Sequence, residues 1–233
     1  MKSRLNVKME KIRLAVRVAE MLYRHEVIDV SDFCRHTDGY FQQRLKVLGQ
    51  EVAQEPKPNP DDEDEMYGYE MYTEDRFLEL NYHRNHGAYF GVLMVFSALE
   101  RFLQSLYDLT MDVAIVPKFR NVVLEIGQKR LTLEHFKMFL KSLDIDVCSE
   151  PYQWDNLIRL QRYRNAIAHQ GGRVTESNYR ALSAYNHKIG EKLDVTLHYV
   201  QQVSRLTGET VRQVSRDYLK AITQRVVRQT SKQ

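Results

Sequence analysis

Three of the five prolines in this 233-residue chain crowd into "EPKPNP" at 55–60, and few stretches anywhere alternate apolar and polar residues with period two. A chain so short of helix breakers and of strand patterning folds mainly as α-helix. Its longest helical pattern, "EDRFLELNYHRNHGAYFGVLMVFSALERFLQSLYDL", predicts one helix from about Asp75 to Leu109. Gly87 and Gly91 weaken that helix, so their spacing predicts the close approach of another backbone.

The stretch around those prolines, "EPKPNPDDEDE", is also acidic and has nothing to bury, so it reads as an exposed linker over 55–75. Before it lies a helical amino-terminal extension, 1–54. Its first helix runs from about Val7 to His25 on Ile12, Val16, Ala19 and Tyr23; a turn follows, then a short helix from Ser31 and a segment from Tyr40 to Val52. After the linker, 76–233 reads as a helical bundle. "VPKFRNVVLEIG" and "TLEHFKMFLKSLDI" give shorter helices, with Thr132 as an N-cap and Glu134 one residue short of the capping-box position. Helices over about Glu150 to His169, within "TESNYRALSAYNHKIGEKL" and near Gly208 to Val227 complete an all-α fold; "DVTLHYV" is β-rich in composition.

With 43% hydrophobic and 28% charged residues the chain has the composition of a soluble globular protein. Cys34 and Cys148 lie far apart with no CxxC spacing, which fits free thiols in a reducing cytoplasm. No apolar run approaches membrane-spanning length, and the first residues lack a signal peptide's apolar stretch, so no membrane partner is expected. Charge is uneven: Met1 to Arg24 and Arg205 to Lys232 are basic, whereas "DDEDEMYGYEMYTED" is acidic. Two basic helices suit a polyanion such as RNA by counterion release, although charge runs also arise as plain solvated faces.

The sharpest anomaly is "LIRLQRYRNAIAHQGGRV". On a helical wheel started at Trp154, Arg164 falls at about 280°, inside an apolar arc of Leu160, Leu157, Ala168 and Ile158. A permanently charged guanidinium there must meet an acidic group, a partner subunit or an anionic ligand. Glu100, set among Leu99, Phe102 and Leu103, is one such acidic group. Asn165 and His169, four residues apart, border the same patch. His169 also suits a helix C-terminus for purely structural reasons, with Gly171 or Gly172 as a left-handed cap.

"RYRNAIAHQGG" resembles the signature of the HEPN superfamily (higher eukaryotes and prokaryotes nucleotide-binding): Arg, a polar residue, then His, matched by Arg164, Asn165 and His169. A long early helix containing "FSALERFL" fits the family's helical bundle, and the resemblance covers about Asp75 to Val227. It implies a metal-independent endoribonuclease with no cofactor, acting on RNA as a homodimer in a toxin or anti-phage defence role, with a protein inhibitor or antitoxin as a further partner. In that chemistry His169 handles protons near its reference pKa of about 6.5, Arg164 faces the phosphate oxyanions and Asn165 orients the phosphate or the imidazole. No Tyr stands two residues after His169, so the adenylylation control of some family toxins is not expected. The superfamily also holds non-catalytic binding modules, which is the alternative function.

Glu100, His86, Tyr163 and Arg173 are expected to support the site or touch RNA. Trp154 is expected in the core and Tyr163 at the surface. Glu79, His83 and His86 share one helix face at metal-ligand spacing, but no fourth ligand is evident and no metal site is assigned.

Overall fold

The computed structural model describes residues 2–112, 131–148, 153–183 and 186–230. Among the described residues six helices form: α1 (Lys2–Gln54), α2 (Glu63–Asp112), α3 (Leu133–Ser142), α4 (Trp154–Gln170), α5 (Glu176–Leu182) and α6 (Leu197–Thr230). Among the described residues no strand forms, and the extended pairing is a single bridge between Arg173 and Lys192. The chain is all-α. The "VPKFRNVVLEIG" helix lies outside the described residues.

α1 and α2 make an antiparallel hairpin. Paired residues fall along α2 as they rise along α1: Glu26 with Arg101, Asp38 with Arg84, and Glu51 and Glu55 with Arg76. Where a turn and a new helix were expected, α1 runs unbroken. Val30 and Cys34 prolong its buried row of Met9, Ile12, Val16, Ala19 and Tyr23, so packing on neighbours holds the helix through a stretch of weak local preference. Residues expected as linker are helical from Glu63 onward. Asp62 caps α2 by accepting the Glu65 N–H at 3.0 Å, and Glu63, Asp64 and Glu65 occupy the first turn, where the helix dipole favours carboxylates. Only the proline segment is left to turn the chain.

At Gly87 and Gly91 the close neighbours are side chains and not the expected backbone. A Cβ at Gly87 would stand 2.7 Å from Thr37 Cγ2, and one at Gly91 would stand 2.5 Å from Cys34 Sγ and 3.0 Å from Val200 Cγ1. α1 and α6 thus both approach α2 at its glycines. Gly91→Ala is expected to destabilise the fold by about 1–3 kcal/mol of overpacking, less about 1 kcal/mol of helix propensity. Gly39, with nothing within 4 Å of its Cβ position, should gain stability from alanine. Urea denaturation of the two variants checks the opposite signs.

α6 begins eleven residues before the expected Gly208, at Leu197. Residues 193–196 form no regular element, and Thr196 Oγ1 accepts the Tyr199 N–H at 3.3 Å. The helix runs antiparallel to α1 and parallel to α2, tied to them by Tyr23 Oη donating to Thr207 Oγ1 at 2.6 Å and by a Thr110–Tyr218 hydroxyl pair at 2.7 Å. Burial pushes the Tyr23 and Tyr218 phenols up to about 12. One apolar core joins Ile12 and Val16 of α1, Phe96 and Leu103 of α2, Phe136 and Phe139 of α3, Leu157 and Leu160 of α4, Leu182 of α5 and Val211 and Val214 of α6. The amino-terminal helix therefore shares the core of the bundle.

Thr132 caps α3 as expected, and the capping box is completed by His135, whose Nδ1 accepts the Thr132 N–H at 3.0 Å. An imidazole nitrogen takes the place of the usual Glu or Gln. Both cysteines are free thiols. Cys34 is buried and its thiol is pushed up to about 11 by desolvation, whereas Cys148 is exposed. In folded protein at neutral pH, iodoacetamide should therefore modify Cys148 and reach Cys34 only on unfolding, which peptide mass mapping will read.

Candidate functional site

α4 lies antiparallel along α2: Arg164 faces Phe96 and Glu100, and one turn past the helix end Gly172 meets Tyr89. Its buried side carries Leu157, Leu160, Tyr163, Ala166 and Ile167. Ala168, placed in the apolar arc by the wheel, is exposed, whereas Arg164, between the buried Leu157 and Leu160 on the wheel, is half-buried. α2 covers one flank of α4, so the buried side is turned from where side-chain hydrophobicity alone put it.

Arg164 keeps 18% of its side-chain surface in solvent and Glu100 keeps 14%. Arg164 Nη2 lies 3.8 Å from Glu100 Oε2, and Nη1 donates to Asn165 Oδ1 at 3.0 Å. The guanidinium carbon sits 5.9 Å from the centre of the Phe96 ring, while Nε is buried without a hydrogen-bond partner. Glu100, Arg164 and Asn165 are thus brought together. His169 is exposed in the last turn of α4.

The end of α4 is fixed by backbone geometry. Gly171 and Gly172 both adopt left-handed conformations, φ 57° and 78°, and the Gly172 N–H reaches Ala166 O at 3.1 Å. A Cβ on Gly172 would meet the Tyr89 ring at 2.6 Å from Oη and 2.7 Å from Cζ, so the chain passes flat against the tyrosine. Tyr89 Oη in turn donates to Leu193 O at 2.9 Å.

His86 and Arg173 belong to a second group at that end of α2, about 21 Å of helix rise from Glu100. His86 packs on Tyr82 with ring centres 4.0 Å apart and Nδ1 2.8 Å from Tyr82 O. Lys192 Nζ lies 4.9 Å above the Tyr82 ring, and its backbone bridges to Arg173. Tyr82, His86 and Arg173 are all exposed. Among the described residues no three His, Cys, Asp or Glu side chains converge as a metal site, so Glu79, His83 and His86 form none.

Tyr163 is buried at 4% exposure, which corrects its expected surface position. It stands on another side of α4, stacked on Tyr199 at 5.7 Å, with its hydroxyl bonded to His187 Nε2 and approached by Arg159 Nη2 at 3.2 Å. His187 Nδ1 continues to Glu191 Oε1 at 2.9 Å, and Glu191 Oε2 accepts the Lys188 N–H at 2.8 Å. This Tyr163–His187–Glu191 chain staples the loop before α6 to α4. Sequence reasoning missed it because "NHKIGE" gives no sign that its His meets a residue 24 positions away. The Lys188 N–H and then His187 hold the Glu191 carboxyl below the usual carboxylate range. A depressed folded pKa means the stabilisation is complete above the unfolded value and lost as pH falls through the folded one. Amide exchange across 187–193 should therefore accelerate on acidification below the usual carboxylate range, and Glu191→Gln should flatten that response.

Trp154 is in the core at 3% exposure, as expected. No described helix is long and apolar enough to cross a membrane. In comparisons with known proteins, no family model, no curated protein and no solved structure matches the chain.

Proposed function

We propose that the chain is a metal-independent endoribonuclease of the HEPN type, acting on cytoplasmic RNA in a toxin or anti-phage defence role. The observation that supports this reading most is the joining of Arg164 to Glu100 and Asn165 on the helix that carries the exposed His169 in its last turn. Glu100 and Asn165 restrict the guanidinium, which then needs little reorganisation to meet a phosphate's two oxygens.

In the reaction the ribose 2′-oxygen attacks its own phosphorus as an imidazole takes the 2′ proton. The bond from phosphorus to the 5′-oxygen breaks, and that oxygen takes a proton from an imidazolium. One His169 cannot stand on both sides of the phosphorus, so a second copy supplies the second imidazole and the working unit is a homodimer. The products are a 2′,3′-cyclic phosphate and a 5′-hydroxyl. A protein inhibitor or antitoxin restrains the activity in this role.

A second reading has a specific observation behind it. Arg164 already has a carboxylate and an amide as neighbours, as it would in a non-catalytic HEPN module whose motif is structural. Incubating RNA with wild type, Arg164→Ala and His169→Ala in EDTA, and analysing product ends, separates the two. Loss of cleavage in both variants, with cyclic phosphate ends from wild type, supports the enzyme. Absence of cleavage in all three supports the module.

A further inference from the structure

Opposite its buried row, α1 carries a second apolar row that none of the other described residues covers. Val7, Leu14, Val18, Met21, Leu22 and Ile28 are between 41% and 63% exposed. Val7, Leu14, Met21 and Ile28 recur every seven residues, and Lys11, Val18 and His25 fill the positions four residues after the first three of them. This is the a/d repeat of a coiled-coil seam, about 32 Å long, on a helix whose other side is already committed to α2 and α6.

We propose that this seam pairs with the same seam of a second copy, antiparallel, around a two-fold axis near Val16. In that register Leu14 packs on Val18 of the other copy, Lys11 lays its aliphatic stem along Met21, and Val7 meets His25. Each layer occurs twice, as an isologous contact requires. Charge favours this occupant. Glu10 and Arg24, the flanking residues that face each other across an antiparallel seam, come together twice, Arg24 keeping its ion pair with Glu20, against one meeting of Arg17 with its own copy, and Lys8 covers Leu22. A membrane surface would select cations alone along the flanks, whereas this seam carries Glu10 and Asp29 among Lys8, Arg17 and Arg24. The polar Lys11 and His25 at core positions disfavour other registers. This pairing does not rest on the ribonuclease reading.

The test is the solution mass of the full chain by light scattering and sedimentation, with helix content followed by circular dichroism. Wild type is expected at twice the chain mass, and Leu14→Glu with Val18→Glu at half that, with helicity unchanged because both positions are exposed. Glu10→Arg and Arg24→Glu should each weaken the dimer, and the two combined should restore it. A monomeric wild type would overturn the proposal, as would a dimer unaffected by the Leu14→Glu and Val18→Glu pair. Wild type that stays monomeric yet floats with vesicles containing phosphatidylserine would give the seam to a membrane instead.

Discussion

RNA cleavage by His169→Ala is expected to fall by about 10²- to 10⁴-fold, the usual contribution of a positioned acid or base. His169 is exposed and its side chain is not part of the core, so the same variant should unfold at the wild-type urea midpoint. That separation matters, because Arg164→Ala removes both an ion-pair partner of Glu100 and a group packed over Phe96, and so alters stability together with activity. Arg164→Lys is the better companion. It keeps the charge and loses the planar fork, so an enzyme that grips phosphate bidentately should be impaired while Glu100 keeps a cation nearby. Undiminished cleavage by His169→Ala would remove His169 from the chemistry.

The largest expected effect on stability lies three residues further on. Gly172→Ala should destabilise the protein by about 2–5 kcal/mol, combining about 1–2 kcal/mol of left-handed strain with about 1–3 kcal/mol of overpacking against the Tyr89 ring. Gly171→Ala shares the positive φ but has open space around it, so its cost should stop at about 1–2 kcal/mol. Urea midpoints compare the neighbours directly, and equal losses would show that backbone strain alone governs this corner. Because the corner fixes where α4 ends, a folded Gly172→Ala protein should also cleave RNA less well than Gly171→Ala.

What the sequence reveals here depends on how far apart the interacting residues lie. The cap at Thr132 and the left-handed end of α4 are local features, written in residue types whose backbone preferences are strong, and both are found where expected. The full length of α1 is not local. Val27 to Ser31 is a poor helical sequence by itself, and its helicity rests on Val30 and Cys34 being buried against partners more than fifty residues away. The start of α2 failed as a sequence expectation for a different reason: an acidic run is as good a helix N-terminus as it is a linker. At the site, the wheel calls for a partner to Arg164 and leaves Glu100 as one of several candidates, and the structure places Glu100 at 3.8 Å. Tyr163 was misplaced because a tyrosine beside arginines looks exposed until its stacking partner, Tyr199, is known.

The bond from Tyr23 to Thr207 spans 184 residues. A ribosome makes α1 well before the chain around Thr207, so the buried row of α1 lacks its α6 partner throughout that interval. Contacts between such distant segments also carry a high loop-closure cost and form late in refolding. During that interval Met9, Ile12 and Val16 are open to water along with the outer seam, and the nascent helix is apolar on two sides at once. Chaperone demand should therefore concentrate on the amino-terminal helix, and end when α6 docks.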